Sequence, residues 1–190
     1  MKDRLNNLLA KFPLLLSTAQ KLNENDLIWM IGGSACLYLY GNERIPGDID
    51  IYLPTLQHEI VNGIFGIESY VHRSPLENVK NSNPNGDHSI QLTSDLWITK
   101  DGNQYHIEPT SLVLDSRTII EDQGEKFYII LAEEVLLIKV LLGRGADMGE
   151  QDIQDAKNFL KIYPKINSEY IQKRQKELAL SPDFFSAIIN

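Results

Sequence analysis

Asp48 and Asp50 stand two residues apart in the stretch Ile45-Pro46-Gly47-Asp48-Ile49-Asp50-Ile51-Tyr52-Leu53. On a β-strand, residues at i and i+2 point to one face. Two carboxylates sharing a partly buried face at about 4 Å repel by a few kcal/mol. A positive charge is expected between them, and a divalent metal is the obvious candidate. Upstream, Trp29-Met30-Ile31-Gly32-Gly33-Ser34 reads as an apolar strand running into a turn that opens a short helix. A Gly-Gly-Ser turn there offers bare backbone N–H groups to an anion. A pair of acids beside a phosphate cradle points to nucleotide chemistry.

Those residues need elements to hold them. Leu5, Leu8, Leu9, Phe12, Leu15, Leu16 and Ala19 recur at helical spacing, so an amphipathic helix is expected over 2–22, disturbed at Pro13. Strands are expected over 27–31 and 48–53, with a short helix over 34–40 between them. A helix over 56–65 and a strand over 68–72 follow. The Asn-rich segment 78–87 reads as a loop, and 88–99 alternates like a strand. Asp101-Gly102 marks a hairpin turn, with the partner strand over 104–111. From Ala132 the pattern is helical. The expected class is α+β: a small mixed sheet flanked by helices over 1–130, capped by a helical region over 131–190.

Composition narrows the function. At 190 residues with 43% hydrophobic and 23% charged residues, the chain is ordinary for a globular protein. A formal net charge of −8 works against long-range attraction to nucleic acid or anionic lipid. A small nucleotide with a small or protein acceptor is favoured over a DNA duplex, though a local basic pocket could take a tRNA end. The single cysteine, Cys36, excludes an intramolecular disulfide and a cysteine-rich metal site, and suits a reducing cytoplasm. There is no signal-peptide pattern at the start and no apolar run of membrane-spanning length. The Gly-Gly turn is neither the G-x-G-x-x-G dinucleotide fingerprint nor a nucleophile elbow, because Cys36 stands where the elbow needs Gly. His58, His72, His88 and His106 lack metal-ligand spacing.

Taken together, the Gly-Gly-Ser turn, Arg44 four residues before the first Asp, and the Asp48/Asp50 strand resemble the DNA polymerase β-like nucleotidyltransferase superfamily. The likeness is to its small bacterial members, of minimal, antibiotic-modifying and abortive-infection or toxin–antitoxin type, and covers residues 29–53. Pro46 departs from the pattern, standing where a Thr is common. The resemblance implies a Mg²⁺- or Mn²⁺-dependent enzyme that moves a nucleoside monophosphate from an NTP to a hydroxyl and releases pyrophosphate. It implies Asp48 and Asp50 as metal ligands, and a third carboxylate on a neighbouring strand as ligand and general base. Glu108 is chosen for that role, with Asp95 competing. Gly32, Gly33 and Ser34 would cradle the phosphates, and Ser34 would also cap the helix. Arg44 and Lys139 are expected to contact the nucleotide, with Arg144 behind Lys139. Asp152 and Asp155 read as acids at a helix start. The rival readings are a non-catalytic binding module with a protein partner, antitoxin-like, and a phosphotransferase using the same cradle. The acceptor, whether small molecule, protein or tRNA, is left open.

Overall fold

The computed structural model describes residues 1–84, 86 and 88–185. The N-terminal amphipathic stretch is two helices, α1 (Lys2–Lys11) and α2 (Leu14–Glu24), because Pro13 cannot continue the hydrogen-bond ladder of the first. Then β1 (Met30–Ile31), α3 (Gly33–Leu39) and β2 (Ile49–Tyr52) form the unit that carries the glycines and aspartates. A 3₁₀ turn at Thr55–Gln57 leads into α4 (His58–Phe65). Next come β3 (Tyr70–Arg73), β4 (Glu77–Ser82), the long β5 (Ile90–Lys100) and β6 (Asn103–His106). Helix α5 (Ser111–Asp115) and the hairpin β7 (Thr118–Asp122) and β8 (Glu125–Ile129) complete the sheet. The last helices are α6 (Ala132–Leu142), α7 (Asp152–Ile162) and α8 (Ser168–Glu177).

The fold is α+β, with one mixed sheet in the order β3-β4-β5-β2-β1-β8-β7 and β6 paired to β5. Strand β2 is antiparallel to β1 and parallel to β5, in a register that sets Asp50 opposite Gln91 and Tyr52 opposite Thr93. Among the described residues, no helix is long and apolar enough to cross a membrane.

Three departures from the sequence pattern matter. The stretch expected as a loop over 78–87 is strand through Ser82. Asn81 there accepts from Thr93 Oγ1 at 3.0 Å, and Ser82 donates to Asn62 Oδ1 at 2.6 Å. Burial of these polar side chains in a bonded pattern overrides the turn propensity of asparagine; Asn85 and Asp87 lie outside the described residues. The hairpin of β7 and β8 has no expected counterpart. Its turn places Gln123 at φ 51° and Gly124 at φ 83°, a two-residue connection suited to antiparallel strands. Residues 107–111, expected as strand, lie beyond the end of β6.

Helix α6 is buried on all sides, which suits its nearly uniform apolar sequence. Its polar side chains therefore need internal partners. Glu134 accepts from Arg174 Nε and Nη2 at 3.0 and 2.9 Å and from the Tyr170 hydroxyl at 2.9 Å, tying α8 to α6. Glu133 accepts from the Asn167 backbone N–H at 2.7 Å. Lys139 is held from α7, as described below.

Candidate active site

The turn between β1 and α3 lies directly against β2. The Gly32 N–H donates to the Asp50 carbonyl at 2.8 Å. A Cβ on Gly32 would overlap the Tyr52 ring. One on Gly33 would overlap the Asp50 carboxylate and sit 3.0 Å from its Cγ. Gly33 also has φ +53°, the left-handed region that side chains disfavour. Both glycines are thus demanded by close approach to the aspartate strand. Ser34 sits inside the first turn, and the N-cap is Gly32 with no side-chain cap bond, so Ser34 does not cap α3 as expected.

Asp48, Asp50, Gly33 and Ser34 line a cleft of about 750 Å³, together with Arg44, Tyr52, Glu77, Gln91, Lys139, Arg144 and Asp152. That volume suits a nucleotide-sized ligand. Desolvation at the cleft floor, and then the charge of Asp48, push the Asp50 carboxyl up to about 7. Glu77 adds to the rise, while Lys139 and Arg144 work against it. Neither cation is spare: Lys139 Nζ lies 2.8 Å from Asp152 Oδ1 and 3.2 Å from Asp155 Oδ2. Arg144 reaches Asp152 at 2.6 Å and Glu77 at 2.9 Å. Arg44 grips Asp155 through Nε at 2.9 Å and through Nη2. Among the described residues, the Asp50 carboxylate has no side-chain donor and no ion-pair partner.

This donor set fits a magnesium-like cation. Mg²⁺ is commonly held through one or two carboxylates with substrate phosphates filling the remaining positions. Asp48 and Asp50 are hard oxygen donors that repel each other, and Asp50 is open to the cleft. Among the described residues, no group of three His, Cys, Asp or Glu is positioned to hold a metal ion. The expected set of Asp48, Asp50 and Glu108 is not assembled. Strand β6 docks on the same edge of β5 as β2, but on the far half, at Trp97–Lys100, whereas β2 pairs with Ile90–Thr93. Glu108 therefore emerges past the C-terminal end of β2, where it accepts from Thr55 N at 3.0 Å and Thr55 Oγ1 at 2.6 Å. Asp95 is also away from the cleft, 3.3 Å from His106 and 3.8 Å from Lys80. The residue facing Asp50 from the strand beside it is Gln91.

No protein-family model matches the chain, and no curated protein matches it in sequence. Solved structures do match. A candidate nucleotidyltransferase of Thermotoga maritima superposes with a TM-score of 0.57 at 17% identity, over 82% of this chain and 93% of that one. The antibiotic-resistance factor ANT(2'')-Ia, in solution, gives 0.52 at 12% identity over 90% and 91% of the two chains. Its crystal structure with adenylyl-2''-tobramycin gives 0.52 at 12% over 94% and 97%. The chain has the fold of the DNA polymerase β-like nucleotidyltransferases.

Within the nucleotidyltransferase fold, the cleft includes residues that motif reading passed over. Glu77, Tyr52 and Gln91 come from strand pairing, which leaves no local mark. Asp152 and Asp155 did leave one: with Ala156 and Phe159 they occupy i, i+3, i+4 and i+7, the buried stripe of α7. Acids on an apolar stripe announce cationic partners, here the buried Lys139, the partly buried Arg144 and the half-exposed Arg44.

The packing of the nucleotidyltransferase turn gives a sharp expectation. Gly33→Ala should lose roughly 1–3 kcal/mol from the left-handed backbone and the collision with Asp50. Gly47→Ala, in the same cleft but with open space where its Cβ would be, should melt like wild type. Thermal melts of the two variants check this.

Proposed function

We propose that the protein is a Mg²⁺- or Mn²⁺-dependent nucleotidyltransferase that moves a nucleoside monophosphate from an NTP to an acceptor hydroxyl and releases pyrophosphate. The observation that carries the reading is the Asp50 carboxylate, without an ion-pair partner among the described residues and beside Asp48, packed against the Gly33 backbone in a cleft of nucleotide size. Asp48 and Asp50 would hold the cation, which supplies Lewis-acid stabilisation of charge developing on the leaving pyrophosphate. Gly32 and Gly33 let phosphate oxygens approach the backbone, and Ser34 adds a hydroxyl donor. Lys139, Arg144 and Arg44 set cations along that side of the cleft, each already paired with Asp152, Asp155 or Glu77. The charge that phosphates would meet there is therefore largely balanced, and the bound cation would carry most of the stabilisation. Catalysis of this type is largely positioning and charge stabilisation. ANT(2'')-Ia, similar in fold, is seen with an adenylylated antibiotic, which favours a small-molecule acceptor here over a tRNA end.

A second reading, a module that binds nucleotide without transferring it, draws on the position of Glu108. Bonded to Thr55, it supplies no base at the aspartates. Product analysis with α-labelled NTPs separates the readings. Pyrophosphate release with label moved to an acceptor supports transfer; nucleoside diphosphate would indicate a phosphotransferase; metal-dependent binding without turnover supports the module. Absence of NTP binding by wild type in Mg²⁺ would overturn both.

A further inference from the structure

We infer that Gln91 occupies the position from which a third carboxylate would complete the metal site, and that the amide limits this cleft to a single divalent cation. The inference rests on the reading of Asp48 and Asp50 as the cation ligands. Strand β5 is the parallel neighbour of β2, and residues paired across parallel strands share a face. Gln91 is paired with Asp50, lines the same cleft, and directs Nε2 to Asp48 Oδ2 at 3.5 Å. No other β5 position reaches the aspartates as well: the next residue on that face, Thr93, is two pairs further along, opposite Tyr52, and donates to Asn81.

Chemistry separates an amide from an acid here. A carboxylate facing Asp48 and Asp50 would bring a third negative charge, enough to hold a second hard cation and to accept a proton from an attacking hydroxyl. Gln91 brings no charge and accepts no proton. Its N–H₂ is instead a donor to Asp48, which eases repulsion within the acid pair when no metal is bound. Glu77, the remaining carboxylate on the strand side of the described cleft, is held by Arg144 at 2.9 Å, with His72 at 3.5 Å. Of the described acids on that wall, none is left uncommitted for a second ion. The position thus separates holding a metal–nucleotide complex from activating an acceptor.

Counting bound Mn²⁺ by electron paramagnetic resonance, with and without α,β-methylene-ATP, tests this without relying on turnover. Wild type with the nucleotide analogue should hold one Mn²⁺ per chain, Gln91→Glu two, and Gln91→Ala one. Gln91→Asp serves as a second acidic variant should the longer acid fail to fold. Transfer by the acidic variant should rise by about 100-fold, the scale of one well-placed electrostatic group. Two Mn²⁺ in wild type, or one in both folded acidic variants, would overturn the inference and leave the nucleotidyltransferase reading intact. No Mn²⁺ in wild type would instead bring down the reading on which it rests.

Discussion

Asp50→Asn is expected to abolish metal-dependent nucleotide binding and transfer while raising the melting temperature above neutral pH. Both effects come from one carboxyl. In the folded chain it sits at about 7, raised from an ordinary 3.8 by desolvation and then by Asp48. A raised carboxyl binds its proton more tightly in the folded than in the unfolded state. Its contribution to stability is therefore complete below about pH 4 and is lost as pH climbs through about 7. At pH 8 the ionised carboxylate costs about 4 kcal/mol relative to a chain in which it is solvated. Asparagine has the same shape, carries no charge and removes most of that cost. Gains of about 5–10 °C are expected at pH 8, falling to less than half of that at pH 5 and vanishing only below about pH 4.

The functional half runs the other way. A cation at Asp48 and Asp50 must displace the Asp50 proton, so binding releases a proton below pH 7 and apparent affinity falls about tenfold per pH unit there. The amide cannot supply the charge, and transfer should fall by about 1,000-fold or more. Differential scanning calorimetry of wild type and variant at pH 5 and pH 8, with Mg²⁺ present and absent, reads both halves. An Asp50→Asn protein that melts below wild type at pH 8 would mean that a partner satisfies this carboxylate. One that still transferred nucleotide would remove Asp50 from the metal site. Destabilising charge at a functional position is a familiar exchange of stability for activity.

How far this site could be read from the chain follows from the range of the interactions involved. The Gly-Gly turn, α3 and the Asp48/Asp50 strand are contiguous, and each is governed by local rules: glycine where backbone meets side chain, alternation on a strand, helical spacing after it. The split of the first helix at Pro13 and the helical run from Ala132 are local too. The partner of β2 is not. Two strands follow with the same alternation, and the resemblance alone puts Glu108, on the second arm of the 101–102 hairpin, beside the aspartates. Strand β5 is long enough to pair with β2 along its first half and with β6 along its second. Between the two lies Asp95, at φ +54°, a kink that no residue-level propensity for aspartate in a strand would suggest. Moving the hairpin arm half a strand along separates Glu108 from the aspartates and leaves Gln91 opposite Asp50. Likewise, Asn81 and Ser82 look like loop chemistry until Thr93 and Asn62 are brought to them.

Lys139→Met is the second large effect, and it separates a structural cation from a substrate contact. The resemblance offers Lys139 as a triphosphate ligand, yet the side chain is only 10% exposed and its Nζ is shared by Asp152 and Asp155, each 3% exposed at the side chain. Removing it leaves two buried acids without their common cation, a loss of the kind that costs about 3–5 kcal/mol. Arg144 still reaches Asp152 and Arg44 still reaches Asp155, which places the expectation at the lower end of that range. Methionine retains the aliphatic stem, so packing within α6 is preserved and the loss reports on charge. The Lys139→Met/Asp155→Leu pair should recover part of it, because one of the two stranded acids is gone and the half-exposed Arg44 can turn to solvent. A coupling of about 1–2 kcal/mol in the double-mutant cycle is expected from chemical denaturation. Should Lys139→Met instead keep wild-type stability and lose only NTP affinity, the ammonium would belong to the nucleotide and the aspartates would be its resting partners. The packing argues for the strut: α7 presents its acids to α6 along the same stripe that buries Ala156 and Phe159, so the charges that hold Lys139 at the cleft also dock the helix that follows it.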